Sequence, residues 1–110
     1  MFTIAISNTD DHLRNHGFIL SDKGWRLAPA YDMNPSIDKN GLALNINLES
    51  NALDFELVKS VGEYFNLNKS EMVLILGEVL DCVSNWENEA VEIGIPRVQR
   101  EIMSLAFKLK

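Results

Sequence analysis

The spacing of apolar residues changes character at Asp54, and that change limits what the chain can fold into. Beyond it, Leu57, Val58, Val61 and Phe65 fall at helical spacing, which predicts a helix ending near Asn66. Asn68, followed three residues later by Glu71, has the form of a capping box. The helix behind it would carry Met72, Ile75, Leu76, Val79, Val83, Trp86, Ala90 and Ile93 on one face. Gly94 can end that helix and Pro96 can sit in the first turn of the next, whose stripe is Val98, Ile102, Leu105, Ala106 and Leu109. Three antiparallel helices over 54–110 would then cover one another.

Before Asp54 no helical period is sustained. Residues 1–7 read either as the end of an apolar helix or as a buried strand, because so short a piece has no diagnostic period. Residues 8–16, NTDDHLRNH, form a dense polar loop. Phe18–Leu20 and Trp25–Leu27 flank Ser21-Asp22-Lys23-Gly24, a hairpin signal over 17–28 in which Gly24 is free to take φ > 0. Ala28 to Asn40 is irregular, held between Pro29 and Pro35. Leu42, Leu44, Ile46 and Leu48 alternate with Ala43, Asn45 and Asn47, the period of a half-buried strand or an extended segment. The expectation is one domain over 1–110, mainly α with a small β-hairpin, the polar loop and hairpin lying at one end.

Composition removes several classes of function. Ten Lys+Arg against sixteen Asp+Glu leave a formal net charge of −6, which argues against direct nucleic-acid contact or a grip on an anionic membrane. No apolar run approaches the roughly 18 residues of a membrane span. The start, MFTIAISNTDD, has neither a basic leader nor a cleavage site and does not read as a secretory signal. The single cysteine, Cys82, has no internal disulfide partner and fits a reducing cytoplasm.

The residues that could do chemistry cluster in Asn8–Gly17 and Ala30–Asp32. Asp10 and Asn15 are five apart, and Asp32 follows Asn15 by 17 residues on the far side of the hairpin. A two-stranded hairpin returns the chain to where it began, so the loop and Asp32 are expected at the same end of it. Phosphoryl transfer from ATP wants that arrangement: a carboxylate to orient the acceptor hydroxyl and take its proton, and oxygen ligands for Mg²⁺ on the phosphates. Protein kinases draw these from a D-x-x-x-x-N loop and an Asp beyond a short hairpin. Mg²⁺, a hard cation, suits such oxygen donors. On spacing alone, Asp10, Asn15 and Asp32 can equally be loop formers that bond their own backbone.

NTDDHLRNHGFIL followed by GWRLAPAYDMNPS resembles the C-terminal domain of the HipA-like serine/threonine kinases, toxins of bacterial type II toxin–antitoxin modules. ALNINLES and EYFNLNKSEMVLILGEV extend the resemblance into the helical part. The resemblance implies a protein-kinase-like C-terminal lobe in which Asp10 is the catalytic base and Asn15 and Asp32 bind magnesium. It implies that His12, Leu13, Arg14, Asn15, Tyr31 and Asp32 line the ATP. It further implies a HipB-like helix-turn-helix antitoxin as partner and a component of the translation machinery as substrate. Asn8-Thr9 precede the base where ordinary eukaryotic kinases have His-Arg, and Met33-Asn34 follow Asp32 in place of Phe-Gly, so the usual activation switch does not carry over.

The six glycines, at 17, 24, 41, 62, 77 and 94, are scattered, so the chain holds no glycine-rich phosphate loop. Lys23, in a turn, is no substitute for the nucleotide-contacting lysine. The expectation is therefore a piece of a kinase, incomplete alone, whose N-lobe a separate chain could supply. The alternative is a non-catalytic module that docks to an antitoxin, to such a chain or to itself.

The remaining features have plainer readings. His12 and His16 are four apart, but Leu13 stands where a zinc helix needs Glu, so His12 is expected to orient the loop by hydrogen bonding. Ser36–Gly41 has the glycine of a calcium loop, but Asn47 stands where the bidentate Glu belongs, and a turn suffices. Arg14 either contacts phosphate or pairs with Asp10 or Asp11. Trp25 and Trp86 read as core, Cys82 as a packed small hydrophobe, and Glu87, Glu89 and Glu92 as a solvated face.

Overall fold

The computed structural model describes residues 1–109. Its regular structure is mainly helical, with one two-stranded antiparallel hairpin. Helix α1 (Phe2–Ala5) settles the open reading of the N-terminus in favour of a helix, one turn long, with Ile4 and Ala5 fully buried. It packs against α3 (Lys69–Ser84). Ala5, Ile6 and Val83 form the centre of the core, and Met33, Phe55, Val79, Leu80 and Phe107 pack around them.

The capping box is complete: the Asn68 carboxamide oxygen accepts from the Glu71 N–H at 3.0 Å, and the Glu71 carboxylate accepts from the Asn68 N–H at 2.8 Å. The expected helical face is buried at Met72, Val83 and Ala90 and half-buried at Ile75, Leu76, Val79 and Trp86. Only Ile93 falls off it, exposed at the helix end. The single long helix is in fact two, α3 and α4 (Trp86–Glu92), divided at Asn85, whose side chain bonds Asn88 and Glu89 instead.

Ahead of α3 in the chain, α2 (Phe55–Ser60), capped by Asp54, gives way at Val61 to a 3₁₀ turn over Gly62–Phe65 that stops on a left-handed Asn66, φ 56°. The helix ends where the periodicity places it. Its last turn tightens where Gly62 lies against α3; a Cβ there would collide with the Met72 sulfur.

Other expectations fail. Leu42–Leu48 is not a strand: it closes a loop pinned by the Gly41–Ala52 bridge, and the Asn47 carboxamide accepts from the Glu49 and Ser50 N–H groups, turning the chain. The alternation survives as far as Ile46, with Leu42, Leu44 and Ile46 half-buried and Ala43 and Asn45 exposed. The three-helix cover also fails. α5 (Arg97–Met103) runs into a 3₁₀ turn at Ser104–Ala106, and Val98, Ile102 and Leu105 stay exposed while Ala106 is buried. Gly94, at φ 85°, turns the chain away before α5 begins.

The C-terminal segment is a strap instead. The Lys108 N–H donates to the Ala5 carbonyl at 2.7 Å, and Phe107 stacks on Trp86 with centroids 4.1 Å apart and planes within 6°. Trp86 is therefore packed as expected. Cys82 is exposed, on the open side of α3, rather than packed. Glu87, Glu89 and Glu92 are exposed. No helix among the described residues is long and apolar enough to cross a membrane.

The hairpin pairs β1 (Phe18–Ser21) with β2 (Gly24–Leu27) in the register Phe18–Leu27, Ile19–Arg26, Leu20–Trp25 and Ser21–Gly24. Asp22 and Lys23 form the turn, and Gly24 takes φ 101°. Phe18, Leu20, Trp25 and Leu27 share one face, since alternate residues and direct cross-strand partners point the same way. That face is open, with exposures of 68%, 64%, 71% and 61%. Trp25 is thus not core. A lone hairpin has no second layer to bury its apolar side.

Candidate active site

The polar loop is built from its buried start. Ser7, Asn8 and Thr9 are almost fully buried, directly after the apolar turn of α1. Buried polar groups need partners. The Ser7 hydroxyl donates to the Ala106 carbonyl at 2.6 Å, and the Ser7 carbonyl accepts from the Ser36 N–H at 3.2 Å. The Asn8 carboxamide donates to the Asp32 carbonyl at 3.4 Å. Two distant segments, around residues 32–36 and at residue 106, are therefore tied to one dipeptide.

On this hub Asp10 and Asp32 line one cleft of about 280 Å³, together with Asn8, Asn34, Ser36 and Asp38. The hairpin does what its geometry requires: the Tyr31 hydroxyl, on the return side, donates to the Arg14 carbonyl at 2.8 Å. Asp32 itself has φ 56° and Ser7 φ 49°, left-handed conformations that non-glycine residues adopt at a cost of about 1–3 kcal/mol. Asp tolerates this region better than most because its short polar side chain bonds locally. Here one Asp32 oxygen accepts from the Asn34 carboxamide at 2.8 Å. The Asp10 carboxylate is exposed, with the Lys39 ammonium 3.7 Å away.

Asn15 is buried behind the loop, its carboxamide donating to the Asp10 carbonyl at 3.5 Å, and is not on the cleft wall. Leu13 and Arg14 sit on a 3₁₀ turn (Leu13–Asn15) with exposed side chains. Arg14 pairs with neither Asp10 nor Asp11; its guanidinium lies 3.5 Å from the His12 ring. His12 makes no bond that ties the loop together, and its Nδ1 is buried without a partner among the described residues. His16 takes that part, its ring N–H donating to the Asp11 carboxylate at 2.8 Å. The pairing went to His16 because five residues of loop bring it opposite Asp11.

Four residues of the site carry weight that the motif spacing does not disclose: Ser7, Asn34, Asp38 and Lys39. The only local signal for Asn34, Asp38 and Lys39 is a stretch of turn-forming residues after Asp32. The cleft's donors are hard oxygens, the chemistry a magnesium ion takes. Among the described residues no three His, Cys, Asp or Glu side chains gather into a ligand set.

The family model of the HipA-like C-terminal domain matches residues 1–86, a span that includes the loop, the hairpin, the cleft carboxylates and α3. The chain belongs to this family. No curated protein and no solved structure matches it. This HipA-like domain thus carries its loop and both cleft aspartates inside the matched span, with α5 and the strap beyond it.

Proposed function

We propose that this HipA-like domain supplies the catalytic loop and metal-binding carboxylate of a serine/threonine protein kinase. The observation that carries the reading is that Asp10 and Asp32, 22 residues apart, line one cleft. In this reading Asp10 orients the acceptor hydroxyl and takes its proton as the new O–P bond forms and ADP leaves with the old one. Asp32 would hold magnesium from the cleft wall, and Asn15, buried behind the loop, would add an oxygen only with its carboxamide turned toward the cleft; the ion when bound neutralises phosphate charge. His12, Leu13, Arg14 and Tyr31 face the nucleotide. The phosphate-covering loop and the nucleotide-contacting lysine come from another polypeptide segment, since the glycines here are scattered.

The test is Asp10→Ala in the assembled protein, with radiolabelled ATP and a protein acceptor. Transfer should vanish while the thermal melt stays put, because the Asp10 carboxylate is exposed and paired only with Lys39 at the surface. Near-normal phosphorylation by that variant would refute the assignment.

The open apolar face of the hairpin favours a second reading: a docking module for an N-lobe chain or a HipB-like antitoxin, without catalysis of its own. Calorimetric titration of the 110-residue chain with Mg-ATP separates the two. Micromolar binding counts against the docking module.

A further inference from the structure

Beside the acidic cleft lies a second pocket of about 490 Å³, lined by Ser7, Ser36, Lys39, Asn40 and Lys108, with Leu53 and Leu105 as apolar walls. The two cavities share Ser36 and Ile37. Their charges are opposite. Asp10, Asp32 and Asp38 line the first; two lysines line the second, with no carboxylate among its described lining residues. In a chain with only ten Lys+Arg against sixteen acids, such a segregation is a local electrostatic feature rather than background.

The pocket's frame is held from the backbone. Ser7 is pinned by its bonds to Ala106 and Ser36, and Lys108 by its own N–H on the Ala5 carbonyl at 2.7 Å. Lys39 belongs to both sites: it lines the basic pocket while its ammonium lies 3.7 Å from the Asp10 carboxylate. Both partners are largely exposed, and an ion pair of that kind is weak and exchanges partners readily.

We propose that this pocket binds an acidic side chain, Asp or Glu, next to the accepting Ser or Thr of a protein substrate. The proposal rests on the kinase reading, which gives Asp10 the acceptor side and Asp32 the phosphate side. Lys39 pairs with Asp10, so the anion it serves arrives with the acceptor. Leu53 and Leu105 suit the methylene stem of such a side chain, and the two ammonium groups meet its carboxylate. On binding, the substrate carboxylate takes Lys39 from Asp10 and leaves that base free for the hydroxyl.

The experiment uses the 110-residue chain and two fluorescent peptides, a serine flanked by glutamates and the same peptide with glutamines, followed by anisotropy. The glutamate peptide should bind saturably and the glutamine peptide should not. Lys39→Gln and Lys108→Gln should each weaken binding about threefold to fivefold, and the double variant roughly tenfold or more. Both side chains are exposed, so thermal melts should not move. Asp10→Ala, which removes the competitor for Lys39, should bind the glutamate peptide at least as tightly as the parent, and excess ATP should not displace it. Absent or glutamine-equal binding, indifference to the double variant, or displacement by ATP overturns the proposal, the last by assigning the pocket to nucleotide phosphate. Lysine-dependent peptide binding together with intact transfer by Asp10→Ala would leave the anion pocket standing while the kinase reading falls.

Discussion

The loop end and the helical end of this domain obey opposite rules of burial. In α3 and α4 the inside is apolar, Met72, Val83 and Ala90 on a helical stripe, and the polar residues face water. At the loop end Ser7, Asn8, Thr9 and Asn15 are buried, while Phe18, Leu20, Trp25 and Leu27 of the hairpin stand open. Apolar burial is non-directional and tolerates a roughly periodic pattern. A buried polar hub must place each donor on an acceptor, so it defines one geometry for the cleft aspartates. The exposed hairpin is the counterpart: apolar area that no described part of the chain covers.

This contrast can be broken at several points. Ile6→Ala, in the shared apolar centre, should cost about 2–5 kcal/mol in urea unfolding, the range for truncating a buried aliphatic side chain. Ser7→Ala removes a side-chain donor from the buried Ala106 carbonyl and should cost about 1–3 kcal/mol. It should also loosen the cleft, visible as faster amide exchange at Ser36, whose N–H bonds the Ser7 carbonyl. If Ser7→Ala proves silent in both measurements, the polar hub is not what holds the loop.

At the helical end, Asn68→Ala removes the side-chain half of the capping box, the acceptor for the Glu71 N–H, and should lower stability by about 0.5–2 kcal/mol, with the loss confined to the start of α3 in hydrogen exchange. The smallest effect belongs to Trp25→Ser. Because the ring is mostly exposed, unfolding should shift by no more than about 0.5 kcal/mol. A loss well above that would mean the hairpin face packs on this chain in solution, and the contrast between the two ends would weaken.

Much of this was readable in advance, and the failures are specific. The capping box at Asn68, the stop at Asn66 and the hairpin turn at Gly24 rest on interactions within a few residues, which local sequence encodes, and the shared face from Met72 to Ala90 follows from helical spacing. Trp25, Cys82 and the Val98–Leu105 stripe are exposed against expectation because amphipathic spacing says which residues share a face, not whether anything covers it. Leu42–Leu48, whose period suits either a strand or an extended segment, finds no partner strand among the described residues, and the Asn47 side chain bends it. In the site, the D-x-x-x-x-N spacing and the later Asp picked out Asp10, Asn15 and Asp32. It could not show that Asn15 would be buried behind the loop while Asp38 joined the cleft.

Sequence alone therefore determined the helices' register, the hairpin and the family, because caps, turns and apolar periods are settled over a handful of neighbouring residues. Only the tertiary structure decided that Ser7 would clasp residues 36 and 106, that His16 rather than His12 would hold the loop, and that Lys39 would reach Asp10. Those contacts join residues from five to 99 positions apart, and a hydrogen bond or ion pair across such distances depends on where the whole chain has already packed.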